Sequence, residues 1–375
     1  MKMHAFSYCM PTRIVLDRGA IEKLPENVPH LKKAVVVTGQ SFARRTGLHD
    51  RIEAILRKAG VAEVHFASAS PNPPVSEVES IGNLAREVKA ELMIGLGGGS
   101  AMDAAKAAAV LATNDRPLME LFPVHEFDNA SLPLVCIPTT AGTGSETTQY
   151  AIINNDQGTD KLNLNGLRTF PILALLDPEL SVTMPKDITA DTGLDALCHA
   201  IEGYVSRRSQ PLSDCLALES IRVVREYLPR AVENGRDLDA RAAMLYAAAV
   251  AGMVIAQTGT TALHAFGYYL TLHYGVPHGK ANGALLGQYL EFIERSSPEK
   301  MKIVYSVFGA EKKGHEAFLS FVESLGVPTQ LRAYGVKEDD LKAFRDYVIA
   351  NRNVPRTPGK VEAEDIERFL SESLG

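Results

Sequence analysis

GLGGGSAMDAAK, residues 95–106, decides how the first half of this chain is read. An apolar run leads into it and an alanine-rich helical stretch leaves it, so the glycines sit where a strand turns into a helix. Glycine lets another group approach the backbone closely, and a helix N-terminus presents free N–H groups to an anion. The pyrophosphate of a dinucleotide fits such a turn, although the spacing departs from G-x-G-x-x-G and a plain tight turn has the same composition. A second turn, PTTAGTGSE at 138–146, also follows an apolar run. Its Thr139, Thr140 and Thr143 hydroxyls suit phosphate or ribose, while Gly142 and Gly144 keep the backbone low. Two such loops at the carboxyl ends of strands in one sheet point to one nucleotide.

Working outward, short apolar runs alternate with amphipathic stretches up to about residue 178. Strands are expected at 13–16, 34–38, 64–67, 92–95, 134–138 and 172–176, with helices at 47–59, 75–89 and 100–112, the pattern of a parallel sheet covered by helices. Beyond the Asp177-Pro178 pair the strand-like runs give way to helical stretches at 189–206, 211–227, 238–257, 262–272, 283–296, 299–308, 315–325, 337–349 and 363–374. The expected organisation is therefore an α/β dinucleotide-binding domain over 1–179 and an all-α domain over 180–375. Gly39 ends the second expected strand, where an acidic residue would bind a ribose 2′-hydroxyl and repel a 2′-phosphate. With Gly39 followed by Ser41, Arg44 and Arg45, NADP is permitted and favoured over NAD.

The helical half carries a different chemistry. In DTGLDALCHAIEGY, residues 191–204, Asp195 and His199 stand four apart in a helix-favouring segment and leave the same face one turn apart. The segment TALHAFGYYLTLHYGVPHGKANG, residues 261–283, adds His264 on an expected helix and His278 in a turn after Pro277. Together they form a candidate Asp-His-His-His cage whose mixed oxygen and nitrogen donors suit iron or zinc better than calcium or magnesium. A carboxylate and a histidine at this spacing also arise as an ordinary surface pair; the second cluster and the glycine turns favour the cage. Cys198 points about 100° away from His199 and is read as packing, and His273 as structural. His4, His30, His49, His65, His125 and His315 have no motif context.

Composition bounds the partners. With 375 residues, 46% of them hydrophobic, the chain can bury a large core. A net charge of -6 with scattered basic residues argues against nucleic acid. The N-terminus lacks a signal-peptide core and the apolar stretch 242–256 is too short to span a bilayer, so no membrane partner is expected. Four cysteines fit neither a zinc spacing nor a disulfide framework, which places the chain in a reducing compartment, the cytoplasm.

Taken as a set, GGGSAMDAAK, PTTAGTGSE, MPKDITADTGLDALCHAIEGY and LHAFGYYLTLHYGVPHGKANG resemble the iron-containing (group III) alcohol dehydrogenases, in order, from PNPP at residue 71 to NVPRTPGKVEAEDI near the C-terminus. The resemblance implies a nucleotide-binding α/β domain, an all-helical domain, a metal in the cleft between them and the architecture shared with dehydroquinate synthase. It carries metal-ligand roles onto Asp195, His199, His264 and His278. It carries nucleotide contacts onto Gly97, Gly98, Gly99, Ser100, Asp103, Thr139, Thr140, Thr143 and Ser145, with Asn72 and Lys161 in matching contexts. A second histidine frequent in the family is Tyr268 here, a residue that cannot become a cation and so suits hydrogen bonding or substrate shaping better than proton relay. Gly39 replaces an aspartate frequent in members that use NAD. LNLNG follows Lys161 where a Ser-Pro pair is usual.

The reaction implied is reversible hydride transfer between a short primary alcohol or aldehyde and NAD(P), with Fe2+, or Zn2+ in its place, as Lewis acid. Thr147, Phe266, Tyr268 and Tyr269 are the candidates for limiting substrate length, and a homodimer through the first strands is implied. The rivals are a dehydroquinate-synthase-like lyase, a metal-free maleylacetate-reductase-like enzyme and a non-enzymatic nucleotide-binding module.

Overall fold

The computed structural model describes residues 5–28, 31–122 and 127–375. It divides into two compact units: one is Met10–Thr140 with Gly144–Thr183, the other is residues 5–9, Ala141–Thr143 and Met184–Gly375.

The first unit is built on a parallel sheet ordered β1-β8-β5-β4-β2-β3. Its strands are β1 (Arg13–Leu16), β2 (Lys33–Gly39), β3 (Glu63–Ala69), β4 (Leu92–Gly97), β5 (Leu134–Pro138) and β8 (Leu173–Leu176). The inner strands read as unbroken apolar runs because both faces are covered. Side chains alternate between those faces. Val35, Val37, Met93 and Cys136 pack with Val78, Ile81, Ala104 and Ala108 from the helices Val75–Glu87 and Gly99–Leu111. Ala34, Val36, Ile94, Val135 and Ile137 pack with Leu24, Ile52 and Leu56 on the other side. Each fully buried Val, Leu, Ile or Met contributes about 1.5–3 kcal/mol, so the alternation fixes register: a slip of one residue would exchange the two cores. Register in turn brings the carboxyl ends of β2, β4 and β5 together, and the Thr139 N–H donates to the Gly97 carbonyl at 2.9 Å.

One element was not expected. An antiparallel hairpin, β6 (Tyr150–Asn154) and β7 (Lys161–Asn165), pairs Tyr150 with Asn165 and Asn154 with Lys161. The Asn155 side chain accepts from the Thr159 N–H at 2.8 Å and closes the turn. Alternation explains LNLNG, since Leu164 joins Ala151 and Ile153 in the core beside the helices while the asparagines face away.

The second unit is helical. Lys186–Val205 is buried along most of its length, against Pro211–Glu233, Leu238–Thr258 and His278–Glu294. Glycines set these distances: a methyl group at Gly203 would lie 2.2 Å from Val254 Cγ1, and one at Gly193 2.3 Å from Leu228 Cδ1. Arg241 is fully buried, and its guanidinium donates to the Met184 and Gly235 carbonyls and to Thr189 Oγ1. It thereby ties the start of the Lys186–Val205 helix to the Leu238–Thr258 helix. Leu238–Thr258 is longer than the apolar stretch seen in sequence, and its mean hydropathy of 1.5 meets a membrane span on length and composition; 67% of that window is buried inside the unit, as in a core helix.

Two helix bounds differ from expectation. The helix after Pro211 continues through Pro229 to Glu233, with Pro229 on its exposed side. More consequentially, the helix expected from 283 begins at His278, with Pro277 as its N-cap, so His278 lies in a first turn and not in a loop.

Candidate metal centre and nucleotide turn

Asp195, His199 and His264 converge inside the helical unit, with one ligating atom from each lying within 4.8 Å of the others. Asp195 and His199 leave one face of Lys186–Val205, and His264 comes from Ala262–Tyr274. His264 Nε2 lies 2.9 Å from His199 Nε2 and 3.7 Å from Asp195 Oδ1. His278 stands beside this trio, its Nε2 3.8 Å from Asp195 Oδ1 and its ring centroid 5.2 Å from that of His264.

Hydrogen bonding on the outer side decides what faces inward. His264 Nδ1 meets Glu202 Oε2, an acceptor, so Nδ1 carries the hydrogen and Nε2 is left with its lone pair. His199 Nδ1 faces the Gly142 carbonyl at 3.4 Å, with the same result. Two imidazole lone pairs and a carboxylate oxygen thus point at one small space, an arrangement that repels itself unless a cation occupies it. Burial pushes the Asp195 carboxyl up, but His199, His278 and His264 outweigh it and hold it down to about 2. Burial pushes His199 down, against the raising pull of Asp195. A borderline donor set of imidazole and carboxylate fits Fe2+ or Zn2+.

Asn282, one turn into the helix that begins at His278, completes the surroundings. Its amide nitrogen donates to Asp195 Oδ1 at 2.9 Å and lies 3.3 Å from His264 Nε2 and 3.2 Å from His278 Nε2. Its Oδ1 is buried with no hydrogen-bond partner and occupies the space that a side chain at Gly267 would fill, 1.8 Å from the position of a Cβ there. Tyr268 stacks on His278 at 5.2 Å and meets His264 edge-on at 6.0 Å. Burial pushes its phenol well up.

The sheet unit holds the second constellation. Gly97 ends β4 with φ +156, Gly98 caps the Gly99–Leu111 helix, and Ser100 Oγ accepts the Asn72 N–H at 3.1 Å. Lys161 donates to the Asn72 side chain at 3.1 Å. Asp103 accepts from Ser145 Oγ at 2.5 Å and from the Ile152 N–H at 3.1 Å, and burial pushes its carboxyl up against the pull of Lys106. Lys106 is fully buried and donates to Ser145 Oγ, Thr148 Oγ1 and the Tyr150 carbonyl, tying the 138–146 loop to the hairpin. Gly39 lies at the end of β2 beside Gly97, Ser41 is exposed just before the Phe42–Arg45 helix, and Thr139 and Thr140 sit between β5 and the segment Ala141–Thr143 that belongs to the helical unit.

Several expectations need correction. Phe266 and Tyr269 belong to the helical core: Phe266 packs on Phe369 and Tyr269 stacks on Phe344, so neither is placed to limit a substrate. Thr147 is buried and bonds back to the Gly144 carbonyl. Cys198 is buried packing, as expected, and His273 is exposed and packs on Tyr269 in a structural role, as expected. His49 stacks on Phe66, while His65 and His315 pair with surface glutamates. His4, His30 and His125 lie outside the described residues. Sequence reading missed Glu202 and Asn282. Glu202 was within reach, since it stands three residues after His199 on the face that already carries two candidate ligands; Asn282 was hidden by the late helix start.

Known proteins were compared with this geometry. The iron-containing alcohol dehydrogenase family matches residues 11–178, and the C-terminal part of the Fe-containing alcohol dehydrogenase family matches 189–374. An NAD-dependent methanol dehydrogenase of Bacillus methanolicus is 29% identical over 98% of this chain and 100% of its own length. A 1,3-propanediol dehydrogenase of Klebsiella pneumoniae is 30% identical over 100% of both. The crystal structure of a 1,3-propanediol oxidoreductase superposes with a TM-score of 0.94 at 30% identity, covering 99% of this chain and 100% of the other. With both halves of the sequence matched and the fold superposing end to end, the chain belongs to the iron-containing alcohol dehydrogenase family.

Proposed function

We propose that this protein is a metal-dependent alcohol dehydrogenase and aldehyde reductase, moving a hydride between a short primary alcohol or aldehyde and a nicotinamide dinucleotide. The observation that carries it is the pair of Nε2 lone pairs, His199 and His264, aimed with Asp195 into one buried space. Asp195, His199, His264 and His278 are the ligands we assign. A divalent cation held there supplies Lewis acidity toward the substrate oxygen. Tyr268, whose phenol burial pushes up, keeps its proton and serves as a hydrogen-bond donor and as a wall against His278.

Residues 1–179 are assigned to the nucleotide and 180–375 to the metal and substrate. Backbone N–H groups at Gly97, Gly98, Gly99 and Ser100 would take the pyrophosphate. Asn72, Asp103, Thr139, Thr140, Thr143, Ser145 and Lys161 would position the rest of the dinucleotide. Relatives bearing NAD in their names favour NAD. Gly39, with open space where a side chain would project and Arg44 and Arg45 exposed nearby, leaves room for a 2′-phosphate, so NADP is accepted as well. Assembly is inferred to be a homodimer, supported by the edge strand β1 with Ile14 and Leu16 exposed.

The test is a screen of short alcohols, diols and aldehydes with NAD and with NADP, on chelated protein resupplied with Fe2+ and then Zn2+. Turnover should vanish on chelation and in His264→Ala while nucleotide binding persists, and should return with Fe2+. Full turnover by metal-stripped protein would end the proposal.

A further inference from the structure

We infer that Glu202 is a positioning residue of the metal centre: anchored by Thr261 and, through it, Tyr289, it locks His264 in the tautomer whose Nε2 lone pair faces Asp195 and His199. This rests on the metal reading of that site.

Glu202 is fully buried, one helical turn beyond His199. Its Oε1 accepts from the Thr261 N–H at 2.8 Å, from Thr261 Oγ1 at 2.7 Å and from the His264 N–H at 3.3 Å; its Oε2 accepts from His264 Nδ1. Backbone N–H groups can only donate, so the side chain they surround is an acceptor, which a carboxylate is at both oxygens. The direction of the outer bonds follows. Thr261 spends its one hydroxyl hydrogen on Glu202, so in the 2.5 Å contact between Thr261 Oγ1 and Tyr289 OH the hydrogen comes from Tyr289. Beside this pair, Thr357 Oγ1 accepts the Ala262 N–H at 3.0 Å. Every hydrogen from Tyr289 inward points at Glu202, and Tyr289, Thr261 and Glu202 are fully buried. A directed chain of this kind in a dry interior has no alternative orientation without an unmade bond, which costs about 1–3 kcal/mol for each orphaned group.

A carboxylate behind a ligating imidazole fixes its tautomer and is typically worth about 10–100-fold in metal affinity. In Glu202→Gln the amide NH2 must face either His264 Nδ1 or the Thr261 donors. Facing His264, it drives the imidazole to the Nε2–H tautomer, placing a hydrogen where the cation belongs. Facing Thr261, it sets donor against donor and breaks the anchor.

The experiment uses full-length chelated protein and two readouts: Zn2+ affinity by competition with a chromophoric chelator, and the His264 tautomer by long-range 1H–15N correlation on 15N-histidine protein. Wild type should bind one Zn2+ per chain with His264 as Nδ1–H, and Asp195→Ala should lose the ion. Glu202→Gln should bind about 10–100-fold more weakly and show Nε2–H or mixed tautomers, whereas Glu202→Asp keeps Nδ1–H. Wild-type affinity together with Nδ1–H in Glu202→Gln overturns the inference while leaving the metal reading intact. Wild type that binds no Zn2+, or Asp195→Ala that binds it as well, overturns the metal reading instead. Should Glu202→Gln fail to fold, Thr261→Val decides: weakened Zn2+ binding supports the inference and unchanged binding with Nδ1–H overturns it.

Discussion

Gly279→Ala is the smallest change that should separate the ligands without touching any of them. Gly279 follows His278 in the first turn of its helix, and a methyl group there would lie 2.0 Å from the Asp191 carbonyl oxygen, 2.7 Å from its carbon and 3.1 Å from Asp195 Cβ. Ordinary contact begins at 3.4 Å, so the methyl is short of room by about 1.4 Å against the Asp191 oxygen. That obstacle is backbone and cannot rotate away. Overpacking of this sort costs about 1–3 kcal/mol, offset by the roughly 0.5–1 kcal/mol that alanine gains over glycine in a helix. The net loss of at most about 2.5 kcal/mol should lower Tm by no more than a few degrees. Its functional effect should be larger, because the clash separates the two elements that carry Asp195 and His278, and a 1 Å misplacement near the chemistry can cost about 10²-fold in rate. Thermal unfolding and Zn2+ titration on the same preparation measure both. A Gly279→Ala protein with wild-type Tm, Zn2+ affinity and kcat/KM would show that the contact between these helices does not set the ligand geometry.

Two further outcomes follow from the sheet unit. Lys106→Met should destabilise by about 3–5 kcal/mol, since it strands the Asp103 carboxylate in the interior, and should weaken dinucleotide binding through the loosened 138–146 loop; denaturant unfolding and a binding titration check each part. Glu146 has a buried Oε1 without a partner, and burial pushes its carboxyl up to about 7. Because the folded value lies above the unfolded value of about 4.3, the native state holds the proton more tightly: this contribution to stability is complete below about pH 4.3 and declines as pH rises to 7, by roughly 3 kcal/mol. Glu146→Gln should remove that decline, and unfolding curves at several pH values would reveal an unchanged slope if the carboxyl were ionised throughout.

The sequence was most legible where chemistry is local. Asp195 and His199 declare themselves by one helical turn, and the glycine turn at 95–106 by its place between an apolar run and an alanine-rich helix. Strand existence was equally plain, because a strand covered on both faces must be apolar throughout. Strand order was not, since placing β8 between β1 and β5 depends on pairings between residues far apart in the chain. The hairpin was passed over because its short YAIIN and KLNLN runs are half polar, though their alternation and the Gly158 turn were in plain view. Asn282 shows how a boundary error spreads: with the helix begun at 283, nothing linked that residue to His278, whereas a start at Pro277 puts the two one turn apart. Lys106 was read as part of a nucleotide turn, and only the folded chain shows it spent on holding a loop.

The glycine contacts along Lys186–Val205 have a mechanical consequence. With Gly193 seated against Leu228 and Gly203 against Val254, the segment bearing Asp195 and His199 packs closely into two neighbours, which resists its sliding or rolling. Ions of different radius are therefore accommodated by imidazole and carboxylate torsions and by the helices that carry His264 and His278, while the Asp195–His199 pair keeps its place. Such a scaffold holds two of the ligands at a fixed spacing, so discrimination between dications falls to the side chains and helices that complete the set.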